Sequence, residues 1–233
     1  MFFFDPMYFV FALPALLLAL FAQWKVKSAY DKYTRVANER GMTGVQAAQR
    51  LLSSQGLGYI SIEGTPGDLT DHYDPRTKTL RLSPSVANTP SVAALGIVAH
   101  EVGHAIQDAQ GFAPLKIRSA IVPAVQFGSM LGPLLFFVGL ILHFTGLAWV
   151  GVAFFAMAMV FSVLTLPVEL DASRRAMQLL NSSGLVSRFE ADGVKSVLTA
   201  ASLTYVAAVA QALATLLYYV FLLTGMGGRR RSI

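Results

Sequence analysis

Two histidines and a glutamate stand in the pattern His100-Glu101-Val102-Gly103-His104. On a helix, residues four apart share a face one turn above each other, so both imidazoles reach a single ion. The glutamate beside the first histidine then reaches a water on that ion. The chemistry expected is amide hydrolysis with one zinc ion per chain. Zinc lowers the pKa of its water to about 7 and polarises the scissile carbonyl. Glu101 acts as general base on this metal-activated water and delivers the proton to the leaving nitrogen. The plainer alternative makes His100 and His104 core histidines around a buried glutamate. Three ionisable groups in an otherwise largely apolar helix are costly to bury without a metal or charge partner, which favours the metal.

A catalytic zinc takes three protein ligands and keeps one position open. No further histidine follows His104 closely, and those remaining are His72 and His143. His143 falls at the far end of an expected membrane hairpin. A ligand beyond that hairpin must be separated from the zinc helix by an even number of crossings, which residues 167–196 satisfy. That stretch opens Pro167-Val168-Glu169-Leu170-Asp171, and Glu169 is the expected third ligand. The competing reading is an acidic residue complementing a helix N-terminus. His72, Tyr73, Arg174 and Arg175 are candidate donors to the developing oxyanion or contacts to substrate. For His72 the alternative is a surface side chain, and for the arginines a snorkelling boundary cation. Thr79–Ser83 is expected to pair with an extended peptide as an added strand.

The elements that must position these groups are mostly membrane helices. The 233 residues are 55% hydrophobic and only 13% charged, with a mean hydropathy of +0.56. A soluble domain carries about a quarter charged residues, so lipid must replace the missing polar surface. The absence of cysteine removes disulfides, thiolate zinc sites, iron–sulfur clusters and thiol catalysis. Spans are expected at about 6–22, 119–143, 147–166 and 197–224, the middle two forming a hairpin. The first has Asp5 and no basic residue before it and no A-x-A site after it, so it reads as an uncleaved anchor rather than a signal peptide. Polar regions at 23–118 and 167–196 carry the chemistry, in a single membrane-embedded domain covering 1–233.

Within the first polar region Lys25–Arg40 extends the first span as a helix. Thr43 and Gln46 have capping-box spacing and open a short helix to about Ser54. Tyr59–Ile62 alternates like a strand. His72-Tyr73 and Thr79–Leu82 flank a turn at Asp74-Pro75-Arg76, which predicts a hairpin. The zinc helix should start at Asn88 or Thr89 and stop at Gly111. In the second region Pro167 suits a first helical turn, and Ser187–Glu190 again has capping-box spacing.

Of the 18 Lys and Arg, eleven lie in residues 23–118 and four in 167–196, the hairpin tip has none, and four crossings leave the tail Arg229-Arg230-Arg231 on the tip's side of the membrane. The positive-inside rule then puts the active site in the cytoplasm. The net charge of +5 has no clustered basic face outside the tail, so nucleic acid is not an expected partner. The tail reads as a membrane-surface stop. The expected partners are a protein or peptide substrate and the lipid bilayer.

Three stretches together, Ala99–Gln107, Asp71–Arg76 and Val168–Ala176, resemble the YugP-type neutral zinc metallopeptidases of bacterial membranes. The resemblance runs over nearly the whole chain. The layout is more distantly similar to the HtpX-type and CAAX-prenyl-protease gluzincins. This implies a mainly α polytopic protein of the bacterial inner membrane, with a zincin-like unit of helix and short β-hairpin. It also implies a zinc site of His100, His104 and Glu169. The distant relatives place an Asp four residues after the ligand glutamate, behind a zinc histidine. Here that position is Ser173, so Asp171 or Asp108 is the candidate for that supporting role.

Two other functions compete. A site-2-type intramembrane protease would use an Asp as third ligand, with Asp192 in Ala191-Asp192-Gly193 the candidate. Only eight consecutive apolar residues precede His100, too few to bury the site mid-bilayer. A non-catalytic membrane scaffold with a structural zinc would need a fourth protein ligand, and His72 is the candidate for it.

Overall fold

The computed structural model describes residues 6–229. Along them run α1 (Pro6–Thr34), α2 (Gly44–Ser54), β1 (Ser61–Gly64), β2 (His72–Asp74), β3 (Thr79–Leu82), α3 (Pro84–Ala87), α4 (Val92–Ala109), α5 (Ala113–Ile141), α6 (Thr145–Ser182) and α7 (Arg188–Arg229). Asp5, Arg230, Arg231 and the side chain of Arg229 lie outside the described residues. Helices α1, α5, α6 and α7 are long and apolar enough to cross a membrane, and α4 is not among them. The chain is a mainly helical, polytopic membrane protein with one small sheet.

The chain divides into two compact units. One combines Ile117–Leu166 with the chain before Ala22 and after Thr204, and the other combines Ala22–Lys116 with Pro167–Thr204.

In the first unit α5 and α6 form the expected hairpin, turning through residues 142–144. His143 takes φ +55, the left-handed conformation that ends a helix, two residues past the end of α5. Gly151 sets how closely the two helices approach, because a Cβ there would lie 2.4 Å from the Phe136 backbone nitrogen. Phe136 is fully buried and stacks on Tyr219 with ring centroids 4.1 Å apart. Leu13, Leu17 and Leu20 on α1 and Phe127 and Leu134 on α5 are exposed, as an apolar surface meant for lipid is.

The larger apolar core of the second unit runs through α2, the sheet, α4 and the buried face of residues 176–198, and a smaller one joins Ala29, Ala93, Val197 and Ala200. Thr43 and Gln46 cap α2 reciprocally, with Gln46 N–H donating to Thr43 Oγ1 and Thr43 N–H to Gln46 Oε1. Ser187 and Glu190 repeat the arrangement at the start of α7, and the other carboxylate oxygen of Glu190 accepts the Glu39 N–H at 2.8 Å. The sheet order is β1-β3-β2, with β1 parallel and β2 antiparallel to β3.

Several boundaries differ from expectation. Strand β3 is central and both its edges are occupied, so Thr79–Leu82 has no free edge for a peptide. The first strand starts at Ser61, because Ile60 N–H closes a turn onto the Leu57 carbonyl. Helix α1 ends at Thr34, where the chain extends into a bridge between Ala37 and Ser91. That bridge delays α4 until Ser91, whose Oγ accepts the Ala94 N–H as N-cap. Pro167 lies inside α6 rather than opening a new helix. Its missing N–H removes one rung of the helix, a loss that tertiary context tolerates.

Glycine 103 governs the packing of α4 on α6. A Cβ there would sit 2.7 Å from the Ala172 carbonyl oxygen and 3.3 Å from its Cα, so only glycine allows this approach. Backbone atoms on both sides leave no flexible side chain to yield. We expect Gly103→Ala to cost about 1–3 kcal/mol by overpacking. It should also weaken zinc binding at least tenfold, since His104 and Glu169 flank the contact. Thermal unfolding and zinc titration of the detergent-solubilised variant check both.

Candidate metal centre

Helix α4 places His100 and His104 one turn apart, their rings 4.8 Å between centroids and nearly perpendicular. Residues Val92–Ala99 ahead of them are almost all buried, which anchors that face in the core. Helix α6 crosses at Gly103, and Glu169 lies about 4.5 Å along its axis from Ala172. Glu169 is buried, 2% exposed, and its Oε2 is 3.2 Å from His100 Nε2 and 3.5 Å from His104 Nε2. One ligand atom from each of the three lies within 4.8 Å of the others.

The other ring nitrogens are held from behind. Gln107 Nε2 donates to the Val168 carbonyl and to Asp171 Oδ2, each at 2.9 Å. Both partners are acceptors, so the amide orientation is determined and Oε1 must face His104. His104 Nδ1–H therefore donates to Gln107 Oε1 at 3.0 Å, and Nε2 is the nitrogen left for an ion. Ser173 Oγ lies 3.2 Å from His100 Nδ1. Two imidazoles and a buried carboxylate, with both rings aimed by their far nitrogens, are a donor set that fits zinc.

The electrostatics agree with that fit. Burial opposes a charge on His104, but the Glu169 and Glu101 carboxylates outweigh it and hold its pKa above the ordinary value. The site thus attracts positive charge. Glu101 is 8% exposed, and burial pushes its carboxyl above the usual range against the opposing pull of the two imidazoles. Its Oε2 accepts the Tyr73 backbone N–H at 2.9 Å, a bond directed from the edge of β2.

The remaining candidates are placed as follows. Tyr73 points inward and its hydroxyl donates to Asp108 Oδ2 at 2.7 Å; burial and that carboxylate raise its pKa. Asp108 also pairs with Lys78, so it ties β2 to the end of α4 and contacts neither histidine by a described bond. His72, on the opposite face of the strand, is exposed with Nδ1 2.8 Å from the Thr70 carbonyl, outside the three-residue group. Arg174 and Arg175 both pair with Asp171, and Arg175 also reaches Gln110. Asp171 therefore acts on His104 through Gln107. Asp192, the third ligand of the intramembrane reading, is exposed on α7 and outside the group.

Gln107 is the residue the sequence reading missed. Its signal was a polar side chain three residues after His104 and seven after His100, hence on the metal-binding stripe of an apolar helix.

A family model described as "Putative neutral zinc metallopeptidase" matches residues 8–224. The curated "Putative membrane protease YugP" of Bacillus subtilis (strain 168) is 42% identical over 217 residues, covering 93% of this chain and 96% of that protein. No solved structure matches the chain.

The Gln107 geometry leads to a specific expectation. Gln107→Leu should lower zinc affinity about 10- to 100-fold, the usual cost of losing a hydrogen bond behind a metal ligand. Ser173→Ala should cost less, because Gln107→Leu also strips the donors from Asp171 and the Val168 carbonyl. Competition with a chromogenic chelator measures both.

Proposed function

Because the chain belongs to the neutral zinc metallopeptidase family, we propose that it is a membrane endopeptidase whose single zinc site is formed by His100, His104 and Glu169, with Glu101 as general base. The observation that carries this reading is the convergence of two imidazoles on one buried carboxylate oxygen, beside a second buried glutamate. When bound, zinc supplies a Lewis acid that acidifies water to a pKa of about 7 and polarises a carbonyl.

The chain's own residues do the rest. Gln107 and Ser173 orient the imidazoles, and the Tyr73 N–H holds one oxygen of Glu101, leaving the other for proton transfer. Glu101 takes a proton from the attacking water as the new carbon–oxygen bond forms. It then gives that proton to the leaving nitrogen as the carbon–nitrogen bond breaks. A carboxyl whose pKa is raised suits both halves of that exchange. A closed structural site would need a fourth protein ligand, and His72 is engaged elsewhere. Three ligands and an open position favour catalysis.

We further place the catalytic groups on the cytoplasmic face of the bacterial inner membrane, acting on protein or peptide substrates. The fifteen Lys and Arg of the two polar regions support this orientation, while the three of the tail fall on the opposite side after four crossings. The chain lacks cysteine, so single introduced cysteines report topology directly. In intact cells Phe144→Cys at the hairpin turn should be labelled by a membrane-impermeant maleimide, and Tyr59→Cys only after lysis. The reverse pattern would place the site outside.

The test of the chemistry compares zinc-loaded wild type with Glu101→Gln on an unstructured protein, scoring new termini by mass spectrometry. Glu101→Gln should retain zinc and lose about 10²- to 10⁴-fold in rate. A chelator should abolish wild-type cleavage and zinc should restore it. Equal cleavage by both proteins would remove Glu101 from the role.

A further inference from the structure

Within the second unit a cleft of about 240 Å³ opens between α6 and α7. Leu170, Ser173 and Arg174 line it from α6, and Lys195, Leu198 and Thr199 from α7. Each set follows i, i+3, i+4, so one stripe of each helix faces the space. The volume falls below the roughly 300–1,000 Å³ of pockets for drug-sized ligands, which suits one side chain rather than a cofactor.

Its position and charge narrow the occupant. Ser173, in the wall, touches His100 Nδ1. Arg174, at the rim, pairs with Asp171, which orients His104 through Gln107. The cleft therefore lies one side chain away from His100 and is linked to His104 through Arg174, Asp171 and Gln107. Arg174 keeps 68% of its side chain exposed despite its pairing. Lys195 is exposed, and no hydrogen bond or ion pair joins it to another described residue, including Asp192 one turn earlier on α7. No acidic residue lines the cleft, and its remaining walls are apolar, Met177 included, or hydroxyl-bearing.

We propose that this cleft is a subsite seating an acidic side chain of the peptide substrate, with its carboxylate between Lys195 and Arg174 and its stem on Leu170 and Leu198. The inference rests on the metallopeptidase reading and adds a sequence preference to it: the cleaved bond lies within a few residues of a glutamate or aspartate.

The test uses full-length Glu101→Gln protein in detergent, which holds a peptide without cutting it. Fluorescent unstructured peptides carry a single Glu, or Gln in its place, stepped through eight positions, and anisotropy gives affinity. At one position Glu should bind about tenfold tighter than Gln, as a charge-assisted pair requires. Adding Lys195→Ala should bring that ratio close to one, and Lys195→Glu should transfer the preference to a Lys peptide. Equal binding of Glu and Gln peptides at every position overturns the proposal, as does a Glu preference that survives Lys195→Glu. So does Lys195-dependent binding of short-chain phosphatidylglycerol with no peptide selectivity, which would make the occupant a lipid headgroup. Cleavage by protein with Glu101 intact is scored separately. Charge-selective binding without any cleavage would defeat the metallopeptidase reading and leave the acid site standing, whereas cleavage indifferent to nearby acids would defeat the subsite alone.

Discussion

The close approach of two backbones at Gly103 and Ala172 is the constraint on which the rest of the site depends. Helix α4 presents two imidazoles, but the third member of the group is not on this helix. It comes from a segment 69 residues away from His100 in sequence, at Glu169. The helices meet without side chains between them, so Glu169 reaches the histidines while remaining almost wholly buried. A larger residue at Gly103 would push the Ala172 backbone, and with it Glu169, away from the rings. Small residues continue the seam, since Ala176, one turn beyond Ala172, is also fully buried.

Asp171 is the electrostatic counterpart of that seam. One carboxylate receives Gln107, Arg174 and Arg175, so it neutralises cations and fixes a neutral amide at once. The arginines keep the charge of a largely buried carboxylate from being a liability, and the amide transmits its orientation to His104. On the other side of α4, Tyr73 performs a similar double task. Its backbone holds Glu101, and its ring and hydroxyl anchor β2 to Asp108. Glu101 and the group of His100, His104 and Glu169 are thus positioned by separate networks, one from the sheet and one from α6.

Much of this was legible in the sequence where the governing physics is local. The two capping boxes, Thr43 with Gln46 and Ser187 with Glu190, could be read because their partners are three residues apart. The β2–β3 hairpin and the helical spacing of His100 and His104 are local in the same sense. What escaped depends on distant contacts. Parallel pairing of β1 with β3 gives β3 two neighbours, and no pattern within Thr79–Leu82 signals it. The delayed start of α4 follows from the bridge between Ala37 and Ser91. Pro167 looks like a helix start by its own chemistry, and continues α6 because the surrounding structure overrides that preference. Gln107 was conspicuous by type and position, but its role exists only once Val168 and Asp171 are beside it.

The anchoring of Gln107 has a consequence for how the site is ordered. In small zinc domains the ligands are ordered by the ion, so binding energy is spent as folding energy and the apo chain is unfolded. Here the amide is held by a backbone carbonyl and a carboxylate, and the histidine it orients sits on a helix already buried in a large apolar core. The hydrogen bonds and packing that orient this ring come from the polypeptide itself. The polypeptide thus settles which nitrogen of His104 faces the Glu169 carboxylate, and it does so through two acceptors that both belong to α6.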